Sequence, residues 1–199
     1  MHPTKDALVK TVVKLLESKT IEEVTSDQVL DISGISRGSL YHHFADFSEL
    51  IEAAQVYRFG QFVDSSCAMI EKIVTTAKSR DELLQRLTDV TITTQAETAR
   101  DTRKERINAI GKAFNHPRMQ EQLGEVQERL TSAIADIYRE ACEKGWGNKN
   151  LDPRAVAVLI QAYTVGKSVD DFTPNKMSQD SWHTLIGEIL SKVLLPNEG

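Results

Sequence analysis

The sequence predicts an all-α protein, and three observations support this fold class. Period-two alternation of apolar and polar residues, which is typical of β-strands, is almost absent from the chain. Apolar residues instead recur every three or four positions, most regularly from Met119 to Ala141. Helix-capping pairs, in which Ser, Thr or Asp is followed three positions later by Glu or Gln, precede several of these stretches. We therefore expect only helices, joined by short turns.

The N-terminal helices are predicted to include a helix-turn-helix. A first helix is expected from about Thr4 to Ser18, with its apolar residues on one side. Thr25 and Gln28 then form a capping pair at the start of a helix of about two turns. Gly34 follows directly, where a left-handed C-cap costs least for a residue without Cβ. Two short helices joined by such a turn are the layout that inserts a helix into a DNA groove.

The second helix of this motif is expected to begin after Ser36 and to run from Arg37 to about Phe44. Leu40 and Phe44 lie four residues apart and should both face the core. The outward side chains suit DNA, because arginine binds guanine edges or phosphates and hydroxyl groups reach phosphate oxygens. The predicted DNA-binding residues are Thr25, Ser26, Ser36, Arg37, Gly38, Ser39, Tyr41, His42 and His43.

Residues 25–50 resemble the N-terminal helix-turn-helix of the TetR (tetracycline-repressor) family. The matching residues are Thr25 at the helix start, Gly34-Ile35-Ser36 at the turn, and the run RGSLYHHF from Arg37 to Phe44. The resemblance extends back over the first helix and so covers roughly the first 60 residues. Beyond them it is a likeness of layout and length.

The resemblance implies a DNA-binding domain over residues 1–50 and a helical body over residues 51–199 that binds a small effector and dimerises. Two positions depart from the family pattern. Phe47 stands where many members carry a lysine that contacts phosphate, which leaves one phosphate contact in doubt. Thr20-Ile21 stands in place of a glycine-aromatic pair, which we expect to alter only a loop.

The charge of the N-terminal region opposes DNA binding. The whole chain has 24 basic and 29 acidic residues and a net charge of −5, and residues 1–60 carry six basic against nine acidic residues. DNA-binding domains are usually basic. Asp27 and Asp31, on the first helix of the motif, are especially hard to place away from DNA. We therefore expect each domain to bind weakly and useful affinity to require two domains on one DNA site.

The body is predicted to be a series of longer helices. Asp46 with Glu49 and Ser79 with Glu82 are capping pairs, and Asp152-Pro153 combines an N-cap with a proline at the first helical position. The expected body helices run from Asp46 to about Thr76, from Ser79 to about Ala96, from about Ile107 to Phe114, from Met119 to Ala141, from Asp152 to about Val169, and onward from Ser178.

The last two helices predict a homodimer. The helix after Asp152 is apolar on two opposite sides, as expected for a helix buried on both. It is either the centre of one domain or part of a four-helix bundle between two chains, and the resemblance favours the bundle. The predicted interface residues are Ala155, Val158, Leu159, Ala162, Trp182, Leu185, Ile186, Ile189, Leu190 and Val193.

An effector pocket in the body is implied by the resemblance, and the sequence offers only candidates for its lining. Residues that suit a mixed apolar and polar cavity are Phe62, Cys67, Thr91, Gln95, Phe114, His116, Trp146 and Tyr163. Each of them singly can equally be a core or surface residue. The basic residues between Arg100 and Arg106 either attract an anionic ligand or form a solvated face with the acids among them.

Other function classes find little support. No catalytic motif, metal-ligand spacing or cofactor fingerprint occurs, so we expect neither an enzyme nor a bound cofactor. No apolar run of membrane-spanning length or signal peptide is apparent, so a cytoplasmic protein is expected. We expect Cys67 and Cys142 to be buried free thiols, with a disulfide or redox switch as the alternative. Two hypotheses remain: a DNA-binding repressor released by a small effector, and a helical ligand-sequestering or protein-interaction module that has lost DNA binding.

Overall fold

The computed structural model describes residues 2–196, and within that range it contains helices and no β-strand. The all-α prediction is confirmed. The α-helices are α1 (Pro3–Leu15), α2 (Ser26–Ser33), α3 (Arg37–His43), α4 (Phe47–Thr76), α5 (Arg80–Gln95), α6 (Arg100–Ala113), α7 (Pro117–Glu143), α8 (Pro153–Gly166), α9 (Ser168–Asp171) and α10 (Gln179–Glu188). Short 3-10 turns precede α2 and α6, and a π-helical turn, Ile189–Leu194, continues α10.

The chain forms two compact units. Unit 1 comprises Met1–Phe62 and Lys112–Val126, and unit 2 comprises Val63–Gly111 and Gln127–Gly199. Helices α4 and α7 contribute residues to both. The boundary near residue 50 between a DNA-binding domain and an effector-binding body is a separate, functional division, and it stays a prediction.

Unit 1 has an apolar core built by α1, α2, α3 and the first turns of α4. Leu8, Val29, Leu40 and Leu50 are fully buried in it, and Phe44 is nearly so. Burying a side chain of this size stabilises the fold by about 1.5–3 kcal/mol. The predicted inward orientation of Leu40 and Phe44 is confirmed, and it turns the remaining side chains of α3 outward.

Unit 2 is held together at one end by Arg80, the first residue of α5. Its guanidinium donates from Nε to the Leu195 carbonyl over 2.8 Å and from Nη2 to the Ser191 carbonyl over 3.0 Å. The Tyr138 hydroxyl donates to the Leu194 carbonyl over 3.1 Å. These donors satisfy carbonyl groups that the end of the last helix leaves without intrahelical partners. The start of α5 therefore lies against the C-terminal end of the α10 segment.

Most predicted helix limits agree with the structure, and three differ. Helix α6 begins at Arg100, seven residues before the expected start at about Ile107. Helix α1 ends at Leu15, three residues before the expected limit. The helix that begins after Asp152 ends at Gly166, and Lys167 joins it to the separate short helix α9. The Lys167 side chain is buried and lies 3.4 Å from Asp170 and 3.6 Å from Asp171 of α9.

Neither cysteine is in a disulfide. Cys67 and Cys142 are free thiols, as predicted, although both are half-buried instead of fully buried. Burial raises the pKa of both thiols, which keeps them protonated and poorly nucleophilic near neutral pH. Separately, no helix within residues 2–196 is both long enough and apolar enough to span a bilayer.

Candidate functional site

The two helices of the predicted motif, α2 and α3, begin and end at the expected residues. Thr25 caps α2: its hydroxyl accepts from the Gln28 amide over 3.4 Å, and the Gln28 side chain accepts from the Thr25 amide over 3.3 Å. Gly34 ends α2 in the left-handed region, with φ of 67°. Ser36 then caps α3 by accepting from the Ser39 amide over 3.2 Å. These caps confirm the helix-turn-helix geometry predicted from the sequence.

The outward face of α3 presents polar and aromatic groups to solvent. Arg37, Gly38, Tyr41 and His42 are exposed, and 46% of the Tyr41 surface remains accessible. The Ser39 hydroxyl is half-buried and lies 2.9 Å from the hydroxyl of Ser36. We call the outward side chains of Arg37, Ser39, Tyr41, His42 and His43 the α3 face. Of the remaining predicted DNA-binding residues, Thr25 and Ser36 are exposed caps and Ser26 is half-buried in the first turn of α2.

Arg37 is ion-paired in the free protein. Its Nη2 contacts Oδ1 of Asp27 in the first turn of α2, and both side chains are mostly exposed. The sequence places Asp27 close to DNA and offers no partner for it. The structure supplies that partner, because the side chain of Arg37 at the start of α3 reaches Asp27 in the first turn of α2. A DNA phosphate or base that binds Arg37 has to compete with this carboxylate.

A histidine cluster lies at the C-terminal end of α3. The ring centroid of His43 is 4.7 Å from that of His2 and 5.1 Å from that of His42. His2 also caps α1, with its Nδ1 accepting from the Thr4 amide over 3.3 Å. Burial lowers the pKa of His43, and the neighbouring His2, His42 and Lys5 lower it further. His43 is therefore mostly neutral near pH 7 in the free protein.

Two acids of α4 contact basic side chains inside unit 1. Glu49 pairs with Arg118 over 2.7 Å, and Glu52 pairs with Nδ1 of His116 over 2.8 Å. Phe47, the residue in the family's lysine position, packs against the unit 1 core. These two acids thus have basic partners within the unit, while Phe47 makes an apolar contact.

Three of the predicted pocket residues come together in unit 2. Thr91 and Gln95 lie one turn apart on α5 and are 5% and 1% exposed. Tyr163 of α8 lies near Thr91, and burial raises the pKa of its phenol. These side chains form a polar patch in the interior of unit 2, as a ligand site of mixed character requires.

The other predicted pocket residues lie elsewhere. Phe114 is 74% exposed, so its placement in a cavity is wrong; α6 ends one residue earlier and leaves the ring in solvent. His116 and Phe62 belong to unit 1, where His116 pairs with Glu52. Trp146 packs in the unit 2 core under the Lys144 ammonium, near the end of the unit that Arg80 holds. Cys67 is half-buried on α4, and its contribution to a pocket stays a prediction.

The basic run of α6 divides into two groups: Arg100 and Lys104 are exposed, as in a solvated face, whereas Arg103 and Arg106 are buried. Arg103 is 3% exposed and forms a buried two-pronged pair with Asp171, with N–O distances of 2.8–3.1 Å. Its Nη1 also donates to the carbonyls of Thr94 and Ala96 over 3.1 and 2.9 Å. Because every side of this guanidinium is used inside the protein, Arg103 cannot attract an anionic ligand. Spacing along α6 gave no signal of this pair, since Asp171 lies on a distant helix.

The predicted dimer surface divides into two groups. Ala155, Val158, Leu159 and Ala162 share one exposed face of α8, and Leu185 and Val193 are exposed on the last helix. Ile186 and Leu190 were expected with them, but they are 1% and 2% exposed and belong to the core of unit 2. Trp182 and Ile189 pack partly against that core. The last helix is apolar on both sides, and Ile186 and Leu190 lie on the side that faces its own chain.

Known proteins with sequence or structural similarity are transcriptional regulators. No protein-family profile matches the chain. The HTH-type transcriptional regulator ArpR of Pseudomonas putida is 22% identical over 173 residues, which span 82% of this chain and 77% of ArpR. A TetR-family transcriptional regulator of Mesorhizobium loti superposes with a TM-score of 0.71 at 15% identity, covering 97% of each chain. A transcriptional regulator of Saccharomonospora viridis, solved in complex with choline, gives a TM-score of 0.68 at 14% identity over 99% of this chain and 100% of the other.

Proposed function

Because this chain has the fold of the TetR-family regulators, as its resemblance predicts, we propose that it is a ligand-responsive, DNA-binding transcriptional regulator. In this proposal it binds a palindromic operator as a dimer in the cytoplasm, and a small effector releases it, so that it acts as a repressor. The similar proteins named above are regulators and not enzymes.

The observation that carries the proposal is the α3 face. Its backbone is fixed at the start by the Ser36 cap and at the end by buried Phe44, so the side chains between them are held on one outward surface. Arg37 and Tyr41 offer a fork of N–H donors and a hydroxyl, both suited to base edges and phosphates. The N-terminus of α3 adds the positive end of a helix dipole at the same place.

Dimerisation is proposed through the exposed apolar face of α8 together with the last helix. Val158, Leu159 and Leu185 are 53%, 43% and 52% exposed in the single chain. A second copy that covers this surface removes large apolar side chains from water and forms a four-helix bundle. A two-fold dimer can then place two α3 faces in major grooves about 34 Å apart, which is one turn of DNA.

Effector control requires that the effector bind one arrangement of the dimer more tightly than the DNA-bound one. The polar patch of Thr91, Gln95 and Tyr163 supports unit 2 as the part that receives it. The Saccharomonospora viridis protein provides an example of a chain with this fold that binds a small molecule.

Two observations favour the second candidate, a helical ligand-sequestering or protein-interaction module without DNA affinity. Asp27 forms an ion pair with Arg37. Phe47 stands where many family members carry a phosphate-binding lysine, and it packs against the unit 1 core. Such a module would keep the effector site and the dimer while failing to select any DNA.

Selection of protein-bound duplexes from a random library at low salt separates the two candidates. The regulator is expected to enrich an inverted repeat whose halves lie one helical turn apart. Arg37→Ala and Tyr41→Ala should each weaken binding to the enriched site by about tenfold or more, because a good base contact contributes roughly 1–3 kcal/mol. A folded dimer that enriches no sequence would favour the sequestering module.

A further inference from the structure

Unit 1 contains a partly open cavity that the proposed function does not use. Its volume is about 240 Å³, and it is lined by residues of α1, of α4, of the first turns of α7, and by Phe44, which follows α3. All of these residues belong to unit 1. A cavity of about 150 Å³ already accommodates benzene, so this one has room for a single ring with a short substituent.

Most of the cavity wall is apolar. Val9 of α1 and Met119 of α7 contribute buried side chains, and Ala53, Val56 and Tyr57 line the cavity from two adjacent turns of α4. The three α4 side chains are half-buried, so they keep apolar surface that a ligand can remove from water. The wall therefore favours a ligand with an apolar body.

The two carboxylates in the wall already have basic partners. Glu49 Oε2 lies 2.7 Å from Nη1 of Arg118. Glu52 Oε1 lies 2.8 Å from Nδ1 of His116 and 3.9 Å from the Lys112 ammonium. The two acidic side chains are only 19% and 13% exposed. Because a cationic ligand would have to displace these partners, the acids do not select for one.

Lys5 is the cation of the wall that lacks a carboxylate partner. Its Nζ lies 5.0 Å from the centroid of the Phe44 ring, and both residues line the cavity. Within residues 2–196 its ammonium forms no ion pair, whereas Lys10 of the same helix pairs with Asp6 over 2.7 Å. The Lys5 side chain is half-buried, so an anion that meets it is partly shielded from competing water.

The charges at the cavity sum to a positive value. The two ammonium groups and the one guanidinium named above face two carboxylates, which leaves one positive charge when the imidazole is neutral and two when it is protonated. A ligand with one negative charge meets this excess without breaking an ion pair. A phosphate monoester, with a charge of about −1.5 to −2 near pH 7, exceeds the smaller value. The wall therefore suits a carboxylate.

We propose that this cavity binds a small monocarboxylate with an apolar body about the size of one ring. The ligand carboxylate accepts from the Lys5 ammonium, and the apolar body packs against Val56, Tyr57 and Met119. The inference goes beyond the proposed function, because it gives unit 1 a ligand site of its own, and its test needs no DNA.

NMR of the protein labelled with ¹³C in its methionine methyl groups tests the proposal. The chain has four methionines, and Met119→Leu assigns the signal from the cavity wall. The probe is hydrocinnamate, whose phenyl ring shifts the signals of methyl groups that it contacts. We expect it to shift the Met119 signal and to leave those of Met69 and Met177, which belong to unit 2, in place.

Three matched controls separate the charge of the probe from its ring. They are the neutral amide of hydrocinnamate, the cation phenylpropylamine, and propionate, which lacks the ring. Each should bind at least about tenfold more weakly than hydrocinnamate, as measured by calorimetric titration. The amide and the amine lose the charge-assisted hydrogen bond to Lys5, and propionate loses most of the apolar contact.

A pair of variants on α1 checks the role of Lys5. Lys5→Gln should weaken hydrocinnamate binding by about tenfold and leave the affinity for the amide unchanged. Lys10→Gln is the same change at a lysine that pairs with Asp6 outside the cavity wall, and it should keep the wild-type affinity. Should Lys5→Gln fail to fold, the comparison of hydrocinnamate with its amide on the wild type decides the matter alone.

The proposal is overturned if hydrocinnamate leaves the Met119 signal in place at millimolar concentration. It is also overturned if the amide or the amine binds as tightly as the acid, because the positive excess would then not select the ligand. Equal affinity of folded Lys5→Gln and wild type for hydrocinnamate would contradict it as well, since the carboxylate would then have another partner.

Discussion

Replacing Asp27 by asparagine is expected to strengthen DNA binding with little effect on folding. The change removes one negative charge and keeps the shape of the side chain, and it releases Arg37 from its ion pair. The two side chains are 74% and 59% exposed, and an exposed pair contributes between about 0 and 1 kcal/mol to stability. The free energy of unfolding should therefore change by less than about 1 kcal/mol.

The gain in DNA affinity comes from the competition between Asp27 and DNA for Arg37. In the wild type, Arg37 must leave the carboxylate to bind DNA, or bring that carboxylate close to phosphates. Removing this competition is worth about 0.2–1 kcal/mol per DNA-binding domain, the range measured for exposed ion pairs. That is a gain of about 1.4- to fivefold per domain, or about two- to thirtyfold for a dimer with both domains on one operator.

Fluorescence anisotropy on the selected operator, measured over a series of salt concentrations, checks this value. Asp31→Asn is the matched control, because Asp31 is exposed on the same helix and carries the same charge. It should give a smaller gain, since its removal frees no arginine. In an Arg37→Ala background, Asp27→Asn should lose most of its effect.

Two results would refute the reasoning. Equal gains from both asparagine variants would mean that general charge, and not release of Arg37, governs affinity. Weaker operator binding by Asp27→Asn would mean that the carboxylate holds Arg37 in the orientation that DNA requires.

Three further predictions concern pH, the turn and the dimer. Burial lowers the pKa of His43 and nearby phosphates would raise it, so the DNA-bound state takes up protons. Operator affinity should therefore rise as pH falls from about 7 through the ordinary histidine pKa. His43→Gln should flatten this rise in anisotropy titrations. Gly34→Ala should lower the unfolding free energy by about 1 kcal/mol in urea titrations. The reason is backbone strain alone, because φ is 67° and no atom lies within 4 Å of an added Cβ. Unchanged stability would contradict the left-handed cap. Leu159→Glu should yield a folded monomer in analytical ultracentrifugation, since the side chain is 43% exposed in one chain, whereas a persistent dimer would place the interface elsewhere.

The parts of the site that the sequence predicts depend on short-range rules. The Thr25 cap, the Gly34 turn and the Ser36 cap each follow from residue types within three positions, and all are present in the structure. The inward direction of Leu40 and Phe44 follows from helical spacing alone. Local geometry therefore specifies the helix-turn-helix almost completely.

The parts that the sequence misses are contacts between helices. The Asp27–Arg37 pair and the His2–His43 contact join residues of different elements, and no spacing along one helix reveals them. Charge complementarity between the first turns of α2 and α3 was the available signal for the ion pair. The last helix shows another limit: it is apolar on both sides, so periodicity cannot tell that Ile186 faces its own core.

The central claim, that the α3 face contacts DNA, is tested most directly by photo-crosslinking. A benzoylphenylalanine at position 41 occupies the site of exposed Tyr41, and the same label at position 114 replaces the still more exposed Phe114 outside the motif. With the selected operator, the account predicts a crosslink from position 41 to bases within each half-site and none from position 114. Equal labelling of DNA from the two positions, or none from position 41 in a complex that still forms, would contradict it.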